Sequence, residues 1–237
     1  MKKHSYVIFC AIVASLGGLL FGFDTAVISG AEKAIQQHFA LDGFWHGFTM
    51  AIALIGTLVG ALVSAKPADF FGRKKALIFI AVIYAVSALG SALTQSWVGF
   101  LVYRFIGGIG VGASSVIGPM YIAEIAPAKI RGRLVTAFQL NIVAGILLSY
   151  FSNYFIAQQV VGESAWRWML GVITIPSVVF FILLFLIPDS PRWLFFKNKI
   201  EEAKAVLKKL GSVDAEKEMK EIELMKDQCK VQYHVSR

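Results

Sequence analysis

The chain has 237 residues, of which 57% are hydrophobic and only 16% charged, and its mean hydropathy is +0.67. That composition excludes an ordinary soluble domain and fits a chain that crosses a bilayer several times. The formal net charge of +8 does not signal nucleic acid, because the basic residues cluster in short loops between apolar segments and no basic-aromatic surface emerges.

Six spans are predicted, running approximately from Tyr6 to Gly30, His46 to Ala65, Ala76 to Leu93, Val98 to Met120, Leu134 to Ala157 and Trp168 to Ile187. Each matches a hydrocarbon core of roughly 30 Å at about 1.5 Å rise per residue. Lys2, Lys3 and His4 ahead of the first run resemble the start of a signal peptide. The run is too long for that, and Asp24 stands where small cleavage-site residues should follow. Cys10 in the first span and Cys229 in the polar tail give neither a disulfide framework nor metal-ligand spacing.

Basic residues follow the even-numbered spans: Lys66, Arg73, Lys74 and Lys75; Lys129, Arg131 and Arg133; Arg192, Lys197 and Lys199. The opposite loops hold only Lys33 and the borderline Arg167. This asymmetry predicts that both termini face the cytoplasm. Trp97, Trp166, Trp168 and Trp193 fall at span ends and are expected to anchor at headgroup level.

Asp24 sits in the middle of span one, within GGLLFGFDTAVISGA. An ionised carboxylate at that depth costs at least about 2.5 kcal/mol, and its stem is too short to reach the surface, so a functional role is expected. Span four holds the second intramembrane charge, Arg104. Each is intolerable alone, and the two are expected to pair. The pair is either a fixed tie between spans one and four or a proton-operated latch, since the carboxylate can be protonated and the guanidinium cannot lose its proton.

An internal repeat is visible at an offset of ninety residues, where Gly17, Gly18 and Gly22 map onto Gly107, Gly108 and Gly112. The same shift lays span two over five and three over six. Three spans is an odd number, so the second triplet enters from the other side, giving an inverted 3+3 repeat. Gly56, Gly60 and Ser64 on span two, and Gly110, Ser114 and Gly118 on span four, read as close-packing faces. Beyond Ile200, EEAKAVLKKLG and AEKEMKEIELMK read as short amphipathic helices broken at Gly211. No nucleophile-base arrangement, phosphate-cradling loop or metal cluster is visible, so no enzyme activity, cofactor or metal is expected.

The stretches GGLLFGFDTAVISGA (Gly17 to Ala31), DFFGRKK (Asp69 to Lys75), YRFIGGIGVGASS (Tyr103 to Ser115), PMYIAEIAPAKIRGRLV (Pro119 to Val135) and PDSPRWL (Pro188 to Leu194) extend from the first span to the tail. In this order and spacing the chain resembles the N-terminal half of the sugar porter family of the major facilitator superfamily. The resemblance implies an all-α integral membrane fold. Residues 1–188 would form a six-span bundle and residues 189–237 a cytoplasmic helical tail, with the second six-span half absent or supplied by a partner chain. It implies proton-coupled transport of a monosaccharide across the cell membrane, with Asp24 and Arg104 as the coupling pair and no nucleic-acid partner.

For the sugar, the resemblance implies Gln139 as a hydrogen-bonding amide and Phe21 as an aromatic facing the pocket; packing roles for both stay open. Ile142 and Ile146 share the face of Gln139 at i+3 and i+7. Ile146 departs from the xylose-carrying members, which have a second glutamine there. Asp69, Arg73, Glu124, Arg131, Asp189 and Arg192 match a cytoplasmic gate of salt bridges. Ala65 and Phe70 depart from the family pattern, which has Gly and a base at those positions. The reading in a different class is a non-transporting membrane protein, either a sugar sensor or an inactive fragment.

Overall fold

In the computed structural model, residues 5–160, 162 and 164–211 are described, and among them the structure is helical without strands. Lys2 to His4, Cys229 and the predicted helix AEKEMKEIELMK lie outside the described residues. The elements are α1 (Ser5–His38), α2 (Gly43–Val63), α3 (Ala65–Phe71), α4 (Arg73–Leu93), α5 (Trp97–Ile125), α6 (Arg131–Gln159), α7 (Ala165–Gly171), α8 (Thr174–Leu184), α9 (Pro191–Phe196) and α10 (Ile200–Lys209). Six membrane-length apolar helices result, with α7 and α8 together forming the sixth.

Local chemistry sets the ends. The Asp42 carboxylate accepts from the Trp45 amide at 2.8 Å and caps α2, while Ser96 and Ser190 cap α5 and α9 in the same way. Pro191 occupies the first turn of α9, where its missing N–H costs nothing. The sixth span bends at Val172–Ile173 because Pro176 has no N–H for the Val172 carbonyl, which instead accepts from Ile175 at 3.1 Å. Between α3 and α4, Gly72 turns the chain at φ +95°, with the Trp193 ring packed against it so that even a Cβ would be crowded.

Three expectations need correction. Span one continues to His38, so Lys33 belongs to α1 and not to a loop. Span six begins at Ala165, and Trp166 is not a headgroup anchor: it is 1% exposed, packed among Phe39, Phe100 and His38. Trp193 is held inside the protein surface, its indole N–H donating to the Asp69 carbonyl at 2.9 Å. Trp168, 64% exposed, is free to anchor; Trp97 meets Trp45 edge to face and donates to Thr49 Oγ1.

The bundle is built round α1, which packs on α4, α5, α6, α7 and α8. Its two most extensive seams are α1 on α6 and α2 on α5, and they are copies of one another. A Cβ on Gly18, Gly22 or Gly145 would overlap the carbonyl of Phe138, Ile142 or Leu19; on Gly108, Gly112 or Gly60 it would overlap that of Ala53, Thr57 or Ile109. The correspondence runs at ninety residues from Gly18 to Gly108 but at eighty-five from Gly60 to Gly145. The second shift corrects the expectation of one constant offset: five residues are lost in the second repeat between its first and second spans. Within each seam backbone meets backbone, the contact small residues permit between membrane helices.

Gly22→Ala and Gly112→Ala are therefore expected to lower stability by similar amounts, about 1 to 3 kcal/mol each, as overpacked contacts do. Gly47→Ala, with nothing within 4 Å of its added Cβ, is expected to be neutral or slightly stabilising. Thermal unfolding of the three purified variants in detergent checks both statements.

Candidate functional site

The two intramembrane charges meet. Arg104 Nη1 on α5 donates to Asp24 Oδ1 on α1 at 2.8 Å, with the two side chains 3% and 8% exposed. The contact uses one guanidinium nitrogen, and Arg104 Nε has no partner among the described residues. It is thus a single charge-assisted bond and not the two-pronged fork that Arg and carboxylate form where holding strength is the only demand. Beside it, Tyr84 of α4 shares a hydrogen bond of 3.0 Å with Ser114 of α5, and Ser114 Oγ lies 3.4 Å from the Gly17 carbonyl. These neutral links tie three helices together below the pair.

The remaining predicted residues gather along the α1–α6 seam. Gly22 abuts the Ile142 backbone, so its neighbour Phe21 and the Gln139, Ile142, Ile146 face border the same junction. Gln139 is exposed, Phe21 and Ile146 are half-buried, and Ile142 is half-buried against the core. α1 continues this open edge with Thr25 and Ser29, both exposed, whose hydroxyls donate to the Phe21 and Ala26 carbonyls. These hydroxyls went unread in the sequence, although their spacing of four and eight residues from Phe21 was the available signal. α6 and α2 are the least covered spans: 17% of the apolar window of each is buried, against 61% for α1.

At the end of the bundle that carries the basic loops, Arg73 is the hub. Its Nη2 lies 2.9 Å from Asp69 and 3.0 Å from Glu124, its Nε donates to Glu124 at 3.1 Å, and its Nη1 donates to the Ala68 carbonyl. The other three members of the expected salt-bridge network form no ion pair among the described residues. Arg131 starts α6 and spends its Nε on the Ala126 carbonyl, and Arg192 sits half-buried in α9. Asp189 precedes the cap of α9, and its Oδ1 is buried without a partner among the described residues, while Ser190 performs the capping. The expected network is thus a triad here, formed where α3, α4 and α5 converge. Phe70, which departs from the family's base, carries the Lys197 ammonium 5.3 Å over its ring, so a cation from another element occupies that neighbourhood.

Burial pushes the Asp189 carboxyl above its ordinary range, with Lys74, Lys75 and Lys199 opposing the shift. A carboxyl whose folded pKa is raised binds its proton more tightly when folded. Its contribution to stability is therefore present at low pH and declines as pH rises from about 4 through the folded value. Asp189→Asn is expected to stabilise the protein at pH 7 and to lose that advantage near pH 4, as followed by thermal unfolding across pH. For the intramembrane pair, Arg104→Ala is expected to cost about 3 to 5 kcal/mol by stranding a buried carboxylate, with Asp24→Asn in the same chain restoring much of it. Yield of folded protein on size-exclusion chromatography reads this cycle.

Residues 10–235 match the family described as "Sugar (and other) transporter". The chain is 43% identical over 92% of its length to a "Glucose transport protein" of Synechocystis sp., covering 48% of that protein. It is 40% identical to the "Arabinose-proton symporter" of Bacillus subtilis (94% of this chain, 49% of that protein) and 39% to the "D-xylose-proton symporter" of Escherichia coli K12 (93% and 51%). Among solved structures it is similar to the proton:xylose symporter XylE bound to 6-bromo-6-deoxy-D-glucose, with a TM-score of 0.91 at 38% identity, over 96% of this chain and 54% of that one. The inward open form of the xylose transporter XylE from E. coli superposes with a TM-score of 0.87 at 38% identity, covering 94% and 56%. The chain spans about half the length of the curated relatives it matches, and its fold is that of the N-terminal half of such carriers. With the family matched over nearly all its residues and six apolar helices of membrane length, the chain belongs to the sugar porter family of the major facilitator superfamily, as a multi-pass protein of the cell membrane.

Proposed function

We propose that this chain is one half of a proton-coupled monosaccharide carrier, completed by a second six-span half that docks on the exposed faces of α2 and α6. The observation that carries the reading is the buried, single-bonded Asp24–Arg104 pair. Its more exposed member, Asp24 at 8% against 3%, is the one that changes charge by taking up a proton. Protonation removes the attraction that holds α1 to α5 at this point and leaves Arg104 to other partners. The proton is thereby converted into a change in how two helices of the repeat sit against each other.

The sugar is read by the α1–α6 edge. Gln139 offers two donors and two acceptor lone pairs without the desolvation cost of a charge, as a polyhydroxylated ligand requires. Phe21 supplies an apolar ring to the sugar's C–H face, and Ile142 and Ile146 bound the site, with Ile146 leaving fewer polar contacts than a second glutamine would. Residues 1–188 act as the transport bundle, and residues 189–237 form a cytoplasmic tail with both termini on that side. Asp69, Arg73 and Glu124, with Arg131, Asp189 and Arg192, serve as the inner gate, each exposed pair adding only about 0 to 1 kcal/mol and the group acting together.

Proteoliposomes containing this chain and its second half, under an imposed proton gradient, test the proposal. Asp24→Asn is expected to abolish uphill accumulation while sugar exchange persists. Gln139→Ala is expected to weaken sugar binding by about 1 to 3 kcal/mol, roughly five- to 150-fold. Unimpaired accumulation by the Asp24→Asn protein removes proton coupling from the reading, and unchanged affinity in Gln139→Ala removes the pocket.

A further inference from the structure

The two copied seams differ in one respect. On α1–α6, Asn141 Nδ2 donates to Ser15 Oγ at 2.8 Å and Asn153 Nδ2 donates to the Val27 carbonyl at 3.0 Å. Both contacts join residues 126 positions apart, so the helices run parallel and are gripped twice, twelve residues apart on each. Gly18 and Gly22 on α1 and Gly145 on α6 fall between the two gripped positions of their own helices. At the positions that correspond by the same two offsets stand Gly56 and Phe105 in the α2–α5 seam, and Ala68 of α3 and Ile117 of α5, none of which has a side-chain amide to offer. Asn153 is buried, and its Oδ1 has no partner among the described residues, so the amide is kept in the seam with one acceptor unmet. The carbonyl it holds belongs to Val27, three residues and about one helical turn beyond Asp24.

We infer that Asn153, assisted by Asn141, is a positioning residue that fixes the rotation of α1 on α6 and so aims Asp24 at Arg104. α1 carries Asp24 on the side that faces α5, while Asn141 and Asn153 hold it from α6. Turning α1 about its axis by a few tens of degrees would swing the short Asp24 side chain off a single 2.8 Å bond. With α1 and α6 clasped as one unit, opening of the charge pair has to come from movement between that unit and α5. The α2–α5 seam has one such side-chain bond, from Trp97 Nε1 at the start of α5 to Thr49 Oγ1, and is otherwise held by glycine contacts, so it is gripped at one end where α1–α6 is gripped twice. This inference rests on Asp24 being the proton site, but its test does not require transport.

The carboxyl stretch of Asp24, identified as the infrared band lost in Asp24→Asn, is followed against pH in the purified chain in lipid. The ionisable groups facing Asp24 are Arg104 of α5 and Tyr84 of α4, and no substitution touches either. N153L, of similar volume, is expected to raise the pH at which Asp24 titrates by about one unit, tenfold in proton affinity, because the arginine no longer meets the carboxylate squarely. N141L, whose partner Ser15 lies farther from Asp24 along α1, is expected to give a smaller shift, and S149A, in the same seam but without a hydrogen bond to α1, none. A titration unmoved in N153L, with only thermal stability reduced, would show the clasp to be structural and overturn the inference. If N153L does not fold, N141L and the N153Q variant supply the same reading, since a shift in either supports positioning and its absence in both refutes it. A shift in titration alongside failed transport by the wild-type carrier would instead count against the proposed function and leave the positioning role intact.

Discussion

The structure depends on a constraint imposed by the solvent: in hydrocarbon, a charge must find its opposite. Asp24 and Arg104 stand eighty positions apart on different helices and satisfy one another through a single bond. That demand fixes α1 beside α5, the first helices of the two repeats, and leaves α6 and α2 to close the outer seams. A fully forked pair would hold more firmly. The one-bond form leaves the Asp24 side chain 8% exposed.

Glycine does for the backbone what the ion pair does for charge. Seven carbonyls sit where a Cβ would otherwise stand, three in the α1–α6 seam and four in α2–α5, and they bring helices close enough that ordinary dispersion replaces the absent hydrophobic drive. The two seams share geometry but not chemistry. Two asparagines reinforce α1–α6, whereas α2–α5 has the single Trp97–Thr49 bond at one end, so symmetry in the fold coexists with a different pattern of side-chain grips.

The basic end of the bundle follows a different economy, because water is close and exposed charges gain little singly. Arg73 is the exception: it is 12% exposed and shared between Asp69 and Glu124, which couples the α3–α4 turn to the end of α5. Trp193 braces the same turn from α9 through the Asp69 carbonyl, and its ring lies on Gly72. Asp189 is placed without any such pairing, half-buried among lysines that do not reach it.

The sequence by itself determined the six spans, the inverted repeat and the pairing of Asp24 with Arg104. Hydropathy, an odd number of helices per repeat and the cost of isolated charge in lipid each leave little choice. It also marked the small-residue faces, since only close packing explains glycine at helical spacing in apolar runs. Tertiary structure alone decided which residues those faces meet, the five-residue difference between the two repeat offsets, and the length of α1. It moved Trp166 from the headgroup region to the core, because a tryptophan at a helix end is apolar enough for either and only its neighbours choose. Of the six residues matched to a gate it joins three, Asp69, Arg73 and Glu124, in ion pairs, since ion pairing depends on distances of a few ångströms between elements whose loops the sequence leaves free. It also found the amide clasps, for an asparagine in a membrane helix announces a hydrogen bond but not its partner, and that partner lies 126 residues away.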